Sequence, residues 1–446
     1  MYSTVLNKII LPIGDLIFGG GYLKTLHKWN QYDLLSEKEL IDLQNKGLEN
    51  ILKNTLENVP YYSGLEYDPK ISAVENLKRF PILTKEILRK NSDRLISKKY
   101  QKKNLRKNYS SGSSGVQSFS YSEKKNVFYL QGLSYHWYMW GGLKIGDPIL
   151  QFGISPKRTL PKKLKDIFFK LSYEEAFTLD EKDYKRIYNN LIKKKIKYII
   201  GYPSAINQLA DYMIKNNLKH TIKSIISLGD KLFSNFEENF KNAFNNPLVI
   251  DTYGCAEGLM IACRYDIPYY YISAPHVYIE IVDEEGNDVK DGELGHVLVT
   301  CFTNLAQPFI RYKLGDLAIK LPKENYPKNR RFNYPLLEKI VGRETDIIET
   351  PNGKKLIVHS FTGIFEYFPD IRQFKIIQND HQSINIKYIV DDLIPLQKDT
   401  LNHIKTKIDK LTNNTLNVVF EKVDYIKPAP SGKPQIIKSN IKNNSK

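Results

Sequence analysis

Hydrophobic spacing changes several times along the middle of the chain. Residues 198–200 read as a strand, Ser204 caps a helix running through Met213, and 222–228 return as a strand. Ser234 with Glu237 then opens a helix that carries Phe236, Phe240 and Phe244 on one face, and 248–250 form the next strand. This β-α-β-α-β order predicts a parallel sheet covered by helices, with its ligand crevice outside the carboxyl ends of the strands. Further on the period becomes two, with Val277, Ile279 and Ile281 on one face, a turn at 285–287, and then Val297 and Val299. An antiparallel section is expected there. Upstream, Ser36 and Glu39 form a capping box before Leu40, Leu43, Leu48, Ile51, Leu52, Leu56 and Val59, a helix that should stop at Pro60. The Lys-, Pro- and Asn-rich stretch 322–335 reads as an exposed loop, and the chain after about Arg343 as a smaller mixed α/β unit. Residues 5–18 are mostly apolar, but Lys8, Pro12 and Asp15 interrupt them, so they suit neither a bilayer span nor a signal segment. A helix packed on the core is expected there ahead of an interfacial one.

The 446 residues allow about three folding units at ~150 residues each. A hydrophobic fraction of 41% with 12% aromatics excludes a disordered chain, and 25 Gly with 21 Pro exclude a fibrous one. The net charge of +17 favours anionic partners such as nucleotides, nucleic acid, acidic glycans or an anionic membrane. The basic residues form no long block, so a solvated, lysine-rich surface accounts for the charge by itself. Three cysteines, Cys255, Cys263 and Cys301, fit a reducing compartment, with the cytoplasm as the default, better than a disulfide framework.

Four segments could carry chemistry. Ser110-Ser111-Gly112-Ser113-Ser114-Gly115 offers hydroxyls and close backbone approach to an anion, although a flexible linker has the same composition. Tyr253-Gly254-Cys255-Ala256-Glu257 follows a strand pattern, where the ring could stack on a base and Glu257 could hold magnesium; a surface turn is the plain alternative. Arg311-Tyr312-Lys313-Leu314-Gly315-Asp316 could offer a carboxylate to both hydroxyls of a ribose, or form a buried Asp–Arg pair. His136 lies among Tyr135, Trp137, Tyr138 and Trp140, where packing is a better account than catalysis, and Cys255, Cys263 and His276 are better read as small core residues than as zinc ligands.

In order, the Ser/Gly segment, Gly201-Tyr202-Pro203-Ser204, Tyr-Gly-x-x-Glu, Arg-Tyr-x-x-Gly-Asp, Gly342-Arg343 and Ser431-Gly432-Lys433 resemble the motifs of the adenylate-forming superfamily. The likeness is to its phenylacetate-CoA ligase-like branch, which includes capsular-polysaccharide (CapK-type) proteins. Asn58-Val59-Pro60-Tyr61-Tyr62 and Pro81-Ile82-Leu83-Thr84-Lys85-Glu86 agree with it. The resemblance implies a large α/β domain, residues 1–343, with parallel and antiparallel sheet, and a small mobile α+β domain, residues 344–446. It implies an ATP-dependent, AMP-forming ligase. Ser110 to Gly115 (Ser110, Ser111, Gly112, Ser113, Ser114, Gly115) would hold the β- and γ-phosphates, and Gly229, Asp230, Tyr253 and Gly254 would line the adenine pocket. Glu257 would bind Mg2+, Asp316 the ribose, Arg343 the ribose and α-phosphate, and Lys433 the α-phosphate and the substrate carboxylate. The implied partners are a carboxylic acid and an acceptor, either CoA or an amine or hydroxyl in surface-polysaccharide assembly, in the cytoplasm or at the inner face of the membrane beside that machinery.

The sequence departs from the family at Ala256, where a hydroxyl is common, at Val116-Gln117, at Thr345 and at Asp230. Two other readings therefore stand beside the ligase. One is a scaffold of the same fold that no longer turns over. The other is a nucleic-acid-binding protein, which the motif order disfavours.

Overall fold

A computed structural model describes residues 6–18, 21–110, 118–154, 158–176, 178–230, 232, 234–255, 257–340, 348–356, 358–365, 367–391, 394–427 and 436–441. The chain divides into two compact units, one of residues 1–107 and 121–342, the other of 108–120 and 343–446. Two short strands, β1 (Arg106–Ser110) and β2 (Ser118–Ser122), pair with each other.

Eleven strands of the first unit make one sheet. In chain order they are β3 (Ile149–Gly153), β4 (Leu171–Glu175), β5 (Tyr198–Gly201), β6 (Ser224–Ser227), β7 (Leu248–Cys255), β8 (Leu259–Arg264), β9 (Tyr270–Ile272), β10 (Val277–Val282), β11 (Leu294–Cys301), β12 (Tyr312–Lys320) and β13 (Leu336–Ile340). Their order across the sheet is β10-β11-β12-β13-β9-β8-β7-β6-β5-β3-β4. From β4 to β7 every pairing is parallel. From β7 to β10 every pairing is antiparallel. The two sequence periods thus meet within one sheet, at β7. β5 and β6 are buried along their whole length, as strands covered on both faces require.

The helix Glu37–Asn58 forms as the pattern predicts: Ser36 accepts from the Glu39 N–H, the Glu39 carboxylate reaches back to Ser36, and Val59 ends it before Pro60. Its buried Leu48, Ile51 and Leu52 join Val277, Ile281, Val297 and Val299 in the core of the antiparallel half. The second core is aromatic, built on Trp29, Trp137, Tyr271, Phe332 and Tyr334. The expected exposed loop 322–335 is a loop exposed over much of its length, with two exceptions. Phe332 and Tyr334 are buried, because Phe332 stacks on Trp140 at 4.5 Å and the Tyr334 hydroxyl donates to Asp33 at 3.0 Å. Asp33 also binds Trp140 and His136, so His136 is a packed, hydrogen-bonded core residue.

In the second unit, β14 (Ile348–Glu349) pairs with β15 (Lys355–Leu356). β16 (Ile371–Gln378), β17 (Ser383–Val390), β18 (Asn417–Lys422) and β19 (Ile437–Ser439) form a separate sheet in the order β18-β17-β16-β19. The helices Val358–Phe365 and Thr400–Thr412 pack together in the same unit, giving a small α+β fold.

Candidate active site

The crevice of a parallel sheet lies beyond the carboxyl ends of its strands, and β6 ends there, with its last residue Ser227 opposite Asp251 of β7. Gly229 and Tyr253 each lie two residues past that pair. Gly229 has φ +86°, and a Cβ on it would meet the Tyr202 ring at 2.4 Å, so only glycine lets the Gly-Tyr-Pro-Ser segment lie against this turn. The sequence reading placed Ser204 as a helix cap. Instead the helix Pro203–Lys215 starts with Tyr202 at the cap, and the Ser204 hydroxyl donates to Asp230 Oδ2 at 2.5 Å. The other oxygen of Asp230 is buried with no partner among the described residues. Burial pushes this carboxyl up to about 8, the Ser204 hydrogen bonds pull it down and nearby Asp251 pushes it further up, so it is neutral at pH 7. Asp251 is itself raised by burial and held by the Ser227 and Tyr270 hydroxyls.

β7 runs past the apolar stretch 248–250 through Cys255, so Tyr253 and Gly254 lie on a strand. Its register with β8 shifts between Tyr253 and Gly254, and a Cβ on Gly254 would stand 2.4 Å from the Leu259 carbonyl oxygen. This offset lets the strand turn tightly and brings Glu257 back into the buried interior.

Two tyrosine–carboxylate pairs then join distant motifs. The Tyr253 hydroxyl donates to Asp316 Oδ2 at 3.1 Å, and the Tyr312 hydroxyl donates to Glu257 Oε1 at 2.9 Å. β7 and β12 lie four places apart in the strand order, yet Tyr253, Glu257, Tyr312 and Asp316 gather in one place. Tyr312 and Glu257 are buried, while Tyr253 and Asp316 are partly open. The Cys255 thiol is pushed well up by its burial and by the Glu257 carboxylate, so it stays protonated and offers a weak donor beside Ala256.

Arg311 does not pair with Asp316. Its guanidinium binds buried Glu280 at 3.1 and 3.3 Å and the carbonyls of Phe80 and Gly286 at 3.2 and 3.0 Å. It therefore anchors the start of β12. The Pro81–Glu86 motif assists: the Leu83 N–H donates to the Arg311 carbonyl at 3.1 Å, and the Leu83 carbonyl accepts from the Lys313 N–H at 2.9 Å.

Two residues the sequence reading missed are Asn304 and Gln307. Both are buried, and they clamp the backbone of Tyr121 in β2: its N–H donates to Gln307 Oε1 at 2.7 Å, and its carbonyl accepts from Asn304 Nδ2 at 2.9 Å. They hold the backbone of β2 at Tyr121. Two amides between the apolar runs of β11 and β12 were the available signal. Ser110 ends β1. Ser111, Gly112, Ser113, Ser114, Gly115, Arg343 and Lys433 lie outside the described residues.

Similarity to known proteins bears on this geometry. Residues 175–302 match the AMP-binding enzyme family, and 348–440 match the CapK C-terminal domain. Protein CapK of Staphylococcus aureus is 25% identical over 437 residues, covering 94% of this chain and 93% of that protein. The chain resembles the adenylate-forming superfamily, in its CapK-type branch. Phenylacetate-coenzyme A ligase of Pseudomonas putida is 32% identical over 104 residues, 22% of each chain. A solved 2-hydroxyisobutyryl-CoA ligase, in complex with 2-HIB-AMP and CoA, has the same fold, with a TM-score of 0.60 over 91% of this chain and 90% of that one at 15% identity. The AMP-binding match spans β5 through β11, and with them Gly229, Tyr253 and Glu257.

Among the described residues no three His, Cys, Asp or Glu side chains gather as a metal site, and the nearest thiol contact of His276 is Cys301, at 4.0 Å. Glu257 is a single carboxylate. Magnesium, which keeps several waters and is completed by substrate phosphates, needs only one or two carboxylates, so the residues fit.

Proposed function

We propose that this protein is an ATP-dependent, AMP-forming ligase that activates a carboxylic acid as its acyl-adenylate and passes the acyl group to an acceptor. The observation that carries the reading is the convergence of Tyr253, Glu257, Tyr312 and Asp316 through two hydrogen bonds across the sheet. A carboxylate is a poor acylating agent, because it would have to expel an oxide. Attack of its oxygen on the α-phosphorus of ATP expels pyrophosphate and leaves AMP as the later leaving group. The attack brings two anions together, so a preorganised site must offset their repulsion.

In this proposal Tyr253 and Gly229 flank the adenine, and neutral Asp230 can donate a hydrogen bond on the same side. Asp316, held in place by Tyr253, accepts from the ribose hydroxyls. The Ser110–Gly115 segment binds the outer phosphates, the strand β2 that follows it being held at Tyr121 by Asn304 and Gln307. Glu257, oriented by Tyr312, would hold a magnesium ion, which would neutralise phosphate charge. Arg343 and Lys433 supply cations at the α-phosphate, Lys433 arriving with a C-terminal domain that rotates about residues 344–346 between half-reactions. The acceptor is CoA or an amine or hydroxyl in surface-polysaccharide assembly; the similarity to Protein CapK and to CoA ligases supports both classes.

Carboxylate-dependent exchange of pyrophosphate into ATP, with hydroxylamine trapping across aryl, fatty, amino and sugar acids, tests the reading. At least one acid should support exchange, and Glu257→Gln and Lys433→Ala should each lower it by about 10²–10³-fold. Exchange at the parental rate in both variants would overturn the residue assignment. No exchange with any acid would favour the scaffold reading that Ala256 and Val116 suggest.

A further inference from the structure

Two helices of the first unit present apolar side chains to solvent. In the helix Leu160–Phe168, Leu160, Leu164 and Ile167 are 71%, 50% and 72% exposed, and their spacing stacks them on one face. In the N-terminal segment Ile9, Ile13 and Leu16 are 52%, 52% and 82% exposed at similar spacing. One small cluster underlies both: Leu6 and Leu11 from the N-terminal segment and Phe169, directly after the second helix, pack on Leu26 and Ile145. The expectation that residues 5–18 pack on the core therefore holds only for their inner face.

The charges around these rows are of one sign. Lys162 and Lys163 are exposed on this helix, Lys163 next to the Leu160–Leu164–Ile167 stripe, while Lys165 turns its ammonium over the Phe169 ring at 5.7 Å. The two nearby acids are used internally. Asp166 accepts from Arg158 Nε at 2.9 Å, and Asp15 accepts from the Tyr22 and Leu23 N–H groups at 2.7 and 3.3 Å. An apolar row bordered by lysines on a helix too short to cross a bilayer has the make-up of an interfacial element.

We infer that this face docks in the plane of an anionic lipid surface, Leu160, Leu164, Ile167, Ile13 and Leu16 entering the headgroup–acyl boundary and the flanking lysines meeting lipid phosphates. Charge complementarity selects this occupant. A second copy would set these lysines against their own counterparts on a chain whose net charge is +17, whereas an anionic bilayer neutralises them. Two weak anchors on one platform give the paired signal that stable peripheral binding requires.

Flotation of the full chain with phosphatidylcholine vesicles, with and without about one-third phosphatidylglycerol, tests this. The protein should float with the anionic vesicles at low salt, be released as salt rises, and bind neutral vesicles about tenfold less well. Leu164→Asp/Ile167→Asp, Ile13→Asp/Leu16→Asp and Lys162→Glu/Lys163→Glu should each weaken binding about tenfold or more while leaving the melting temperature in place, because all six side chains are exposed. Failure to float at low salt, or parental binding by all three variants, would overturn the inference. So would a dimer in sedimentation that Leu164→Asp/Ile167→Asp dissolves, since the face would then belong to a second copy.

Discussion

Arg311 and Asp316 lie five residues apart in one motif and do different work. Arg311 is sealed against Glu280 and the carbonyls of Lys78, Phe80 and Gly286, so Arg311→Ala would strand a buried carboxylate and should destabilise the first unit by about 3–5 kcal/mol in denaturant unfolding. A loss below about 1 kcal/mol would show that the pair is not sealed from water. Asp230 poses the opposite problem, an acid kept neutral by burial. Its folded-state pKa of about 8 lies above its ordinary value, so the folded state holds a proton that the unfolded state has already lost. The stability tied to that proton is complete below the ordinary carboxylate range and is lost as pH rises toward about 8. Asp230→Asn keeps the neutral form at every pH. Its melting temperature relative to the parent should climb between about pH 4 and 8 and then level off, and a flat difference would mean that Asp230 ionises normally.

Among the elements, the strand β7 decides the geometry of the site. Gly254 sits where a Cβ would press on the Leu259 carbonyl, and backbone cannot swing aside as a flexible side chain can. Gly254→Ala should therefore cost about 1–3 kcal/mol and weaken nucleotide binding together with stability, whereas Gly64→Ala, with open space around its Cβ but a φ of +98° that strains alanine, should cost stability and leave nucleotide binding untouched. The β-α-β-α-β core and the capped helix at 37–58 were legible in the sequence because period and caps are local signals. The extension of β7 to Cys255 was not, because Asp251, Thr252 and Gly254 break the apolar run that marks a buried strand. Phe332 and Tyr334 were hidden by their Lys- and Pro-rich neighbours, and their burial depends on Trp140 and Asp33, some two hundred or more residues away. The site was legible as residue types, Tyr253, Glu257 and Asp316, but not as pairs. A Tyr–carboxylate bond between residues 63 positions apart leaves no periodic trace. The roles of Ser204, Asn304 and Gln307 were hidden for the same reason.

For the whole molecule, one sheet that is parallel on one side of β7 and antiparallel on the other brings segments of distant sequence to a common crevice. The central claim is that this crevice is a nucleotide site in which Asp316 takes the ribose. Calorimetric titration of ATP with magnesium into the parent and into Asp316→Ala tests it most directly. Losing a charged acceptor for the ribose hydroxyls should weaken ATP about 10- to 100-fold while the melting temperature of the free protein changes little. Equal ATP affinity in the two proteins, with both folded, would contradict the account.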